Sequence, residues 1–200
     1  MVLLNGPAEK RQMEAFLTST ALVAVAEIGD KTQLLAILLA TRFKKPMPIV
    51  LGILVATLAN HFLAALVGEK AAQFLSGEWF RYLIAFSFLA MAAWTLIPDK
   101  LDDEETQPSR FGPFVTTAIA FFLVEMGDKT QLATVALGAQ FKSVLPVMGG
   151  TTLGMMIANV PAVLLGNQLI KRIPMKVVHR VAAAMFAVVG IGMLVDLWKG

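Results

Sequence analysis

The sequence predicts an all-α integral membrane protein whose six transmembrane helices form two inverted three-helix repeats. Three observations lead there. The 200 residues are 57% hydrophobic with a mean hydropathy of +0.71, above the apolar share of about one half in soluble domains. Six apolar segments follow one another, several approaching the roughly 20 residues that cross a bilayer. A heptapeptide built around two acids and a lysine occurs twice, displaced by 98 positions.

The rest of the composition narrows the class. With no cysteine, disulfides and thiolate metal sites are excluded. A net charge of +3 and a pI near 9.3 fit Lys and Arg in short cytoplasmic loops better than nucleic-acid binding. The opening "MVLLNGPAEKRQMEAF" has its charges after a brief apolar start, the reverse of a signal peptide. Insertion through the first helix is therefore expected.

The first apolar segment, Ala15–Thr41, carries "VAEIGDKTQLL". The second, Pro46–Val67, contains Asn60 and His61. The third, Phe80–Ile97, is short for a span. A polar stretch, "PDKLDDEETQPSRFGP", then separates repeat 1–97 from repeat 113–200, so 98–112 reads as an exposed acidic linker. The fourth segment, Phe114–Phe141, carries "LVEMGDKTQLA". The fifth, Val144–Ile170, contains Asn159 and Pro161, and Pro161 is expected to kink it. The sixth, Val181–Trp198, is again short.

Glu27, Gly29, Asp30, Lys31, Thr32, Gln33 and Leu34 map without gaps onto Glu125, Gly127, Asp128, Lys129, Thr130, Gln131 and Leu132. The same offset pairs Phe16 with Phe114, Phe43 with Phe141, Pro48 with Pro146 and Gly52 with Gly150. This is a duplication. Three spans per copy send the second copy in from the opposite face, the inverted plan of secondary transporters with ion sites near the midplane. Lys10, Arg11, Lys70, Arg81, Lys142 and Lys199 fall on the side of the termini. Arg42, Lys44, Lys45, Lys100, Arg110, Lys171, Arg172, Lys176 and Arg180 fall on the other. The excess of nine over six places the termini outside and the linker in the cytoplasm.

On a continuous helix, Glu27, Asp30 and Lys31 share a face, as do Glu125, Asp128 and Lys129. A charge at the centre of a membrane helix costs about 2.5–3.5 kcal/mol, so these stripes must face one another or water. Salt bridges of Glu27 with Lys31 and Glu125 with Lys129 do not balance the site. Four carboxylates against two lysines leave a formal −2, which takes up protons or binds a cation. One divalent ion or two protons neutralise it equally, and that equivalence is the basis of an exchanger. Exporting a dication against 100 mV costs about 4.6 kcal/mol, twice the single-charge figure; inward protons, or sodium, offset it.

Glu27, Asp30, Glu125 and Asp128 are the candidate metal ligands. Gln33 and Gln131 would complete an oxygen set suited to Mg, Ca or Mn. Gly29 and Gly127 either weaken the helix and expose carbonyl oxygens or allow close helix packing. Asn60, Asn159 and His61 are candidates for ligation or proton relay beside interhelical hydrogen bonding, and His61 would suit manganese better than calcium. The eleven methionines show no regular pairing and read as packing. His179, beside Arg180, is expected in a surface loop.

The paired E-I-G-D-K-T-Q and E-M-G-D-K-T-Q resemble the E-φ-G-D-K-[TS] signature of a family of small cation antiporters. That family includes Golgi manganese/calcium–proton exchangers, a chloroplast manganese transporter and bacterial manganese exporters. The resemblance covers the whole chain. It implies export of a divalent cation across the inner membrane, with Glu27, Asp30, Glu125 and Asp128 binding the ion and manganese as the commoner bacterial substrate. Thr32, Thr130, Lys31 and Lys129 carry over as coupling or structural residues. No cofactor beyond the transported ion and no nucleic acid is implied; the counter-ion is H+ or Na+, the surroundings are the lipid bilayer, and the assembly is a monomer or homodimer. Calcium/proton exchange at the same site is the nearest alternative. Export of basic amino acids is a further one, which the motif lysines oppose. Neither a Ser-His-Asp order nor a Gly-rich phosphate loop suggests an enzyme.

Overall fold

The computed structural model describes residues 6–75, 77–97, 111–166 and 174–199. Among these residues there are eight α-helices and no strand. In chain order they are α1 (Pro7–Ala26), α2 (Lys31–Phe43), α3 (Pro46–Phe74), α4 (Glu78–Thr95), α5 (Pro113–Glu125), α6 (Lys129–Phe141), α7 (Val144–Leu165) and α8 (Met175–Lys199). The linker at 98–110 falls outside the described residues, as do Lys100, Arg110, Lys171 and Arg172 of the charge comparison.

Two of the six expected segments are each two helices. Ala15–Thr41 divides into α1 and α2, and Phe114–Phe141 into α5 and α6, both at the repeated motif. The cause is local. Gly29 and Gly127 hold φ of +82° and +76°, a region open to glycine and strained for other residues. The helix therefore stops and restarts, and the freedom expected of these glycines is used to break it. Other boundaries follow ordinary chemistry. Proline occupies the first helical turn of α1, α3 and α5, where its missing N–H is not needed. Lys44 and Lys142 end α2 and α6 in the left-handed conformation.

The sixth segment is longer than expected. α8 runs 25 residues, beginning six before Val181, because Met175–Arg180 is helical although Lys176, His179 and Arg180 interrupt its apolar residues. His179 accordingly sits on a helix, half-buried, and not in a surface loop. Pro161 lies inside α7, which continues through it. Three helices, α3, α7 and α8, are long and apolar enough to cross a membrane; α5 is apolar but shorter.

The halves interlock. α1 packs mainly on α7 and α5 on α3, while α3 also packs along α6. Glycine sets the approach at the two crossings. A Cβ on Gly150 would meet the Phe16 carbonyl and Ser19, and one on Gly52 would meet the Phe114 carbonyl and Thr117. Each set of contacts is the other displaced by 98, so the two crossings are reciprocal. Among the described residues, the helices expose large apolar side chains and bury most of the motif charges. Phe62, Leu63 and Val67 of α3 and Leu153, Ile157 and Leu164 of α7 are exposed, whereas Glu27, Asp30, Asp128 and Lys129 are buried. Such burial of charge is expected where the surroundings are lipid and the charges serve a site.

Candidate metal centre

Both motifs fold alike. Glu27 caps the end of α1 and Glu125 is the last residue of α5, while Asp30 and Asp128 are the N-caps of α2 and α6. The break thus replaces the single helical stripe expected of Glu27, Asp30 and Lys31. An aspartate at an N-cap normally accepts a backbone N–H of its own helix. Neither does so here; both carboxylates turn inward.

Glu27, Asp30 and Asp128, all buried, each offer an oxygen within 4.8 Å of the others. Oxygens held 2.0–2.6 Å from one small dication span at most about 4–5 Å. The trio, drawn from both halves, therefore fits a single divalent ion. Thr32 Oγ1 donates to Glu27 Oε2, and Thr130 Oγ1 donates to Asp128 Oδ2 at 2.8 Å. These bonds fix carboxylate orientation. Glu27 Oε1 has no hydrogen-bond partner among the described residues.

The lysines pair crosswise. Lys129 Nζ lies 3.0 Å from Asp30 Oδ1 and Lys31 Nζ 3.8 Å from Asp128 Oδ1. The within-motif pairs of Glu27 with Lys31 and Glu125 with Lys129 do not form, because the break turns each lysine toward the other half. Both lysines thus serve aspartates, and among the described residues neither glutamate forms a salt bridge with a lysine.

Glu125 stands apart from the trio. Its Oε1 accepts from Thr57 Oγ1 at 2.9 Å, and its Oε2 lies 3.8 Å from His61 Nε2, both buried on α3. The matching positions 98 residues on are Met155 and Asn159. Asn159 donates to its own helix at Met155 O, and its Oδ1 is buried without a hydrogen bond. The frame is therefore repeated while the polar groups on it are not. Sequence reasoning missed Thr57, although Thr57, Asn60 and His61 fall at i, i+3 and i+4 on one face of α3.

The glutamines hold the breaks. Gln33 Oε1 accepts the Gly29 N–H at 2.9 Å, and Gln131 Oε1 accepts the Gly127 N–H at 2.7 Å. Their amide nitrogens donate across the molecule, Gln33 to Ala158 O and Gln131 to Asn60 Oδ1, both at 2.9 Å. Asn60 Nδ2 donates to Phe122 O at 2.9 Å, a carbonyl in the last turn of α5, where helical partners run out.

Residues 15–103 and 113–200 match the family described as "Divalent cation/proton antiporter GDT1". A Vibrio cholerae protein named "Putative manganese exporter" is 50% identical over 185 residues, covering 92% of each chain. "GDT1-like protein 5" of Arabidopsis thaliana is 26% identical, over 90% of this chain and 94% of its own. "Protein PAM71-homolog, chloroplastic", also of Arabidopsis thaliana, is 31% identical over 86% of this chain and 57% of its own. No solved structure matches.

Proposed function

We propose, from the premise that this chain belongs to the divalent cation/proton antiporter family, that it exports Mn2+ in exchange for protons by alternating access. The observation that carries this reading is the trio Glu27, Asp30 and Asp128, three buried carboxylates from two halves within 4.8 Å of one another. The 50% identical relative's name adds support for manganese. The donors are oxygens, and cysteine is lacking, which disfavours soft metals.

In this mechanism the crossed lysine–aspartate pairs hold the two breaks together. A dication held by Glu27, Asp30 and Asp128 offsets the formal −2 of the whole cluster of four acids and two lysines. When it leaves to the outside, two protons restore neutrality and return inward. Glu27 binds the ion directly, while Glu125, held by Thr57 and facing His61, takes part in the proton half of the cycle. The two halves have inverted topology, the protein lies in the inner membrane, and the termini face outward with the 98–112 linker in the cytoplasm.

Flux in proteoliposomes tests the proposal. Mn2+ should move when a pH gradient is imposed, Ca2+ more slowly, and lysine not at all; a sodium gradient should not replace the pH gradient. Glu27→Gln combined with Asp128→Asn should lower the Mn2+ rate at least 100-fold. Transport undiminished in that double variant would defeat the site assignment, and faster Ca2+ than Mn2+ flux would reassign the substrate.

A further inference from the structure

Four backbone amides span each break, and three of the four find ordinary acceptors. In the first motif, Glu27 N–H bonds Val23 O, Ile28 N–H bonds Val25 O, and Asp30 N–H bonds Glu27 O. The Gly29 N–H alone depends on a side chain, that of Gln33. In the second motif the Gly127 N–H likewise depends on Gln131. Gln33 and Gln131 are the third residues of α2 and α6, where a capping-box side chain reaches back to the N-cap amide. Here each reaches one residue further, to the glycine at positive φ.

The other end of each amide matters as much. Gln33 donates to α7 and Gln131 to α3, in each case the long helix of the opposite half. That helix also receives the first helix of the same motif, α1 on α7 and α5 on α3, at the Gly150 and Gly52 crossings. Each carboxamide has its nitrogen and one of its oxygen's two lone pairs committed to the protein, so ligating an ion would compete with the bond that shapes the break.

We infer that Gln33 and Gln131 are positioning residues and not ligands: each shapes its own break and fastens it to the long helix of the other half. The bodies that move during transport are therefore α1, α2 and α7 against α5, α6 and α3, and not the two sequence repeats. The crossed pairs Lys31–Asp128 and Lys129–Asp30 lie between these bodies and mark the surface on which they shift. The tethers stand on geometry alone, whereas the division into moving bodies rests on the proposed alternating access.

The second tether is the one to test, because its partner Asn60 is a side chain. Amide hydrogen exchange of the segment containing Gly127 is compared in wild type, Gln131→Met and Asn60→Ala. Both variants should accelerate exchange at Gly127 at least 10-fold, Asn60→Ala by releasing Gln131 Nε2 and the Phe122 carbonyl together. Unchanged exchange in Asn60→Ala would overturn the inference. Mn2+ flux is then measured for both single variants and the double, with thermal melts to normalise for folded protein. For one tether, the double falls within about 2-fold of the worse single variant. Losses that multiply would mean two independent ligands, and singles that melt lower yet transport normally would mean packing alone; either result overturns the assignment. Wild-type protein that moves no Mn2+ or Ca2+ would defeat the proposed function and leave the exchange readout standing.

Discussion

Lys31 and Lys129 hold the same place in the two motifs but meet different surroundings. Lys129 is 2% exposed with its ammonium 3.0 Å from Asp30, whereas Lys31 is 21% exposed and 3.8 Å from Asp128. Removing one partner of a buried pair costs about 3–5 kcal/mol because the other charge is left unpaired; a looser, wetter pair contributes about 1 kcal/mol or less. Lys129→Met should therefore lower the melting temperature well below wild type, and Lys31→Met only slightly. Saturating Mn2+ should recover part of the Lys129→Met loss, since a bound cation stabilises the folded state by mass action. Equal melting of the two variants would show that the asymmetry has no energetic weight. The need for compensation was legible in the sequence from four acids against two lysines. The partners were not, because i,i+4 spacing implies pairing along one helix and the break redirects both side chains.

The break itself could have been placed from the residues. Asp30-Lys31-Thr32-Gln33 and Asp128-Lys129-Thr130-Gln131 are D-x-x-Q patterns, a helix N-terminal signature, each directly after a glycine. Apolar periodicity hid it, since both flanking helices are hydrophobic and one continuous span reads the same as two half-spans. Hydropathy also cut α1 and α8 short, because Glu9–Arg11 in α1 and Lys176, His179 and Arg180 in α8 interrupt the apolar run without ending the helix. Gly29→Ala and Gly127→Ala test the element directly. Left-handed backbone costs an L-residue roughly 1–2 kcal/mol, and both glycines sit there. Gly127 faces open space; at Gly29 a Cβ meets the flexible end of Met175, which can move aside. Each variant should thus destabilise by about 1–2 kcal/mol, to a similar degree, in thermal melts. A Gly29→Ala loss several-fold larger, reversed by Met175→Ala, would show that α8 clamps the first break rigidly.

Across the whole molecule, duplication was legible and interlocking was not. A constant offset reveals that there are two copies, but which helix of one copy packs on which of the other depends on small residues at crossings. Gly52 and Gly150 were noted only as matching positions, yet they bring α5 onto α3 and α1 onto α7. A half on its own would leave α1 without its main neighbour. Its motif would also lack the opposite aspartate that pairs with Lys31 or Lys129, and buried charge without a partner is costly in a membrane. Residues 1–105 and 106–200, expressed separately, should each be degraded or aggregate when extracted in detergent. Co-expressed, they should co-purify as a one-to-one complex, because every reciprocal contact runs between fragments and none of the described helices is cut. The complex should also bind Mn2+, read as a rise in melting temperature, since the trio takes Glu27 and Asp30 from one fragment and Asp128 from the other. A stable, monodisperse 1–105 fragment would show that the first half folds on contacts of its own, and that interlocking follows folding instead of enabling it.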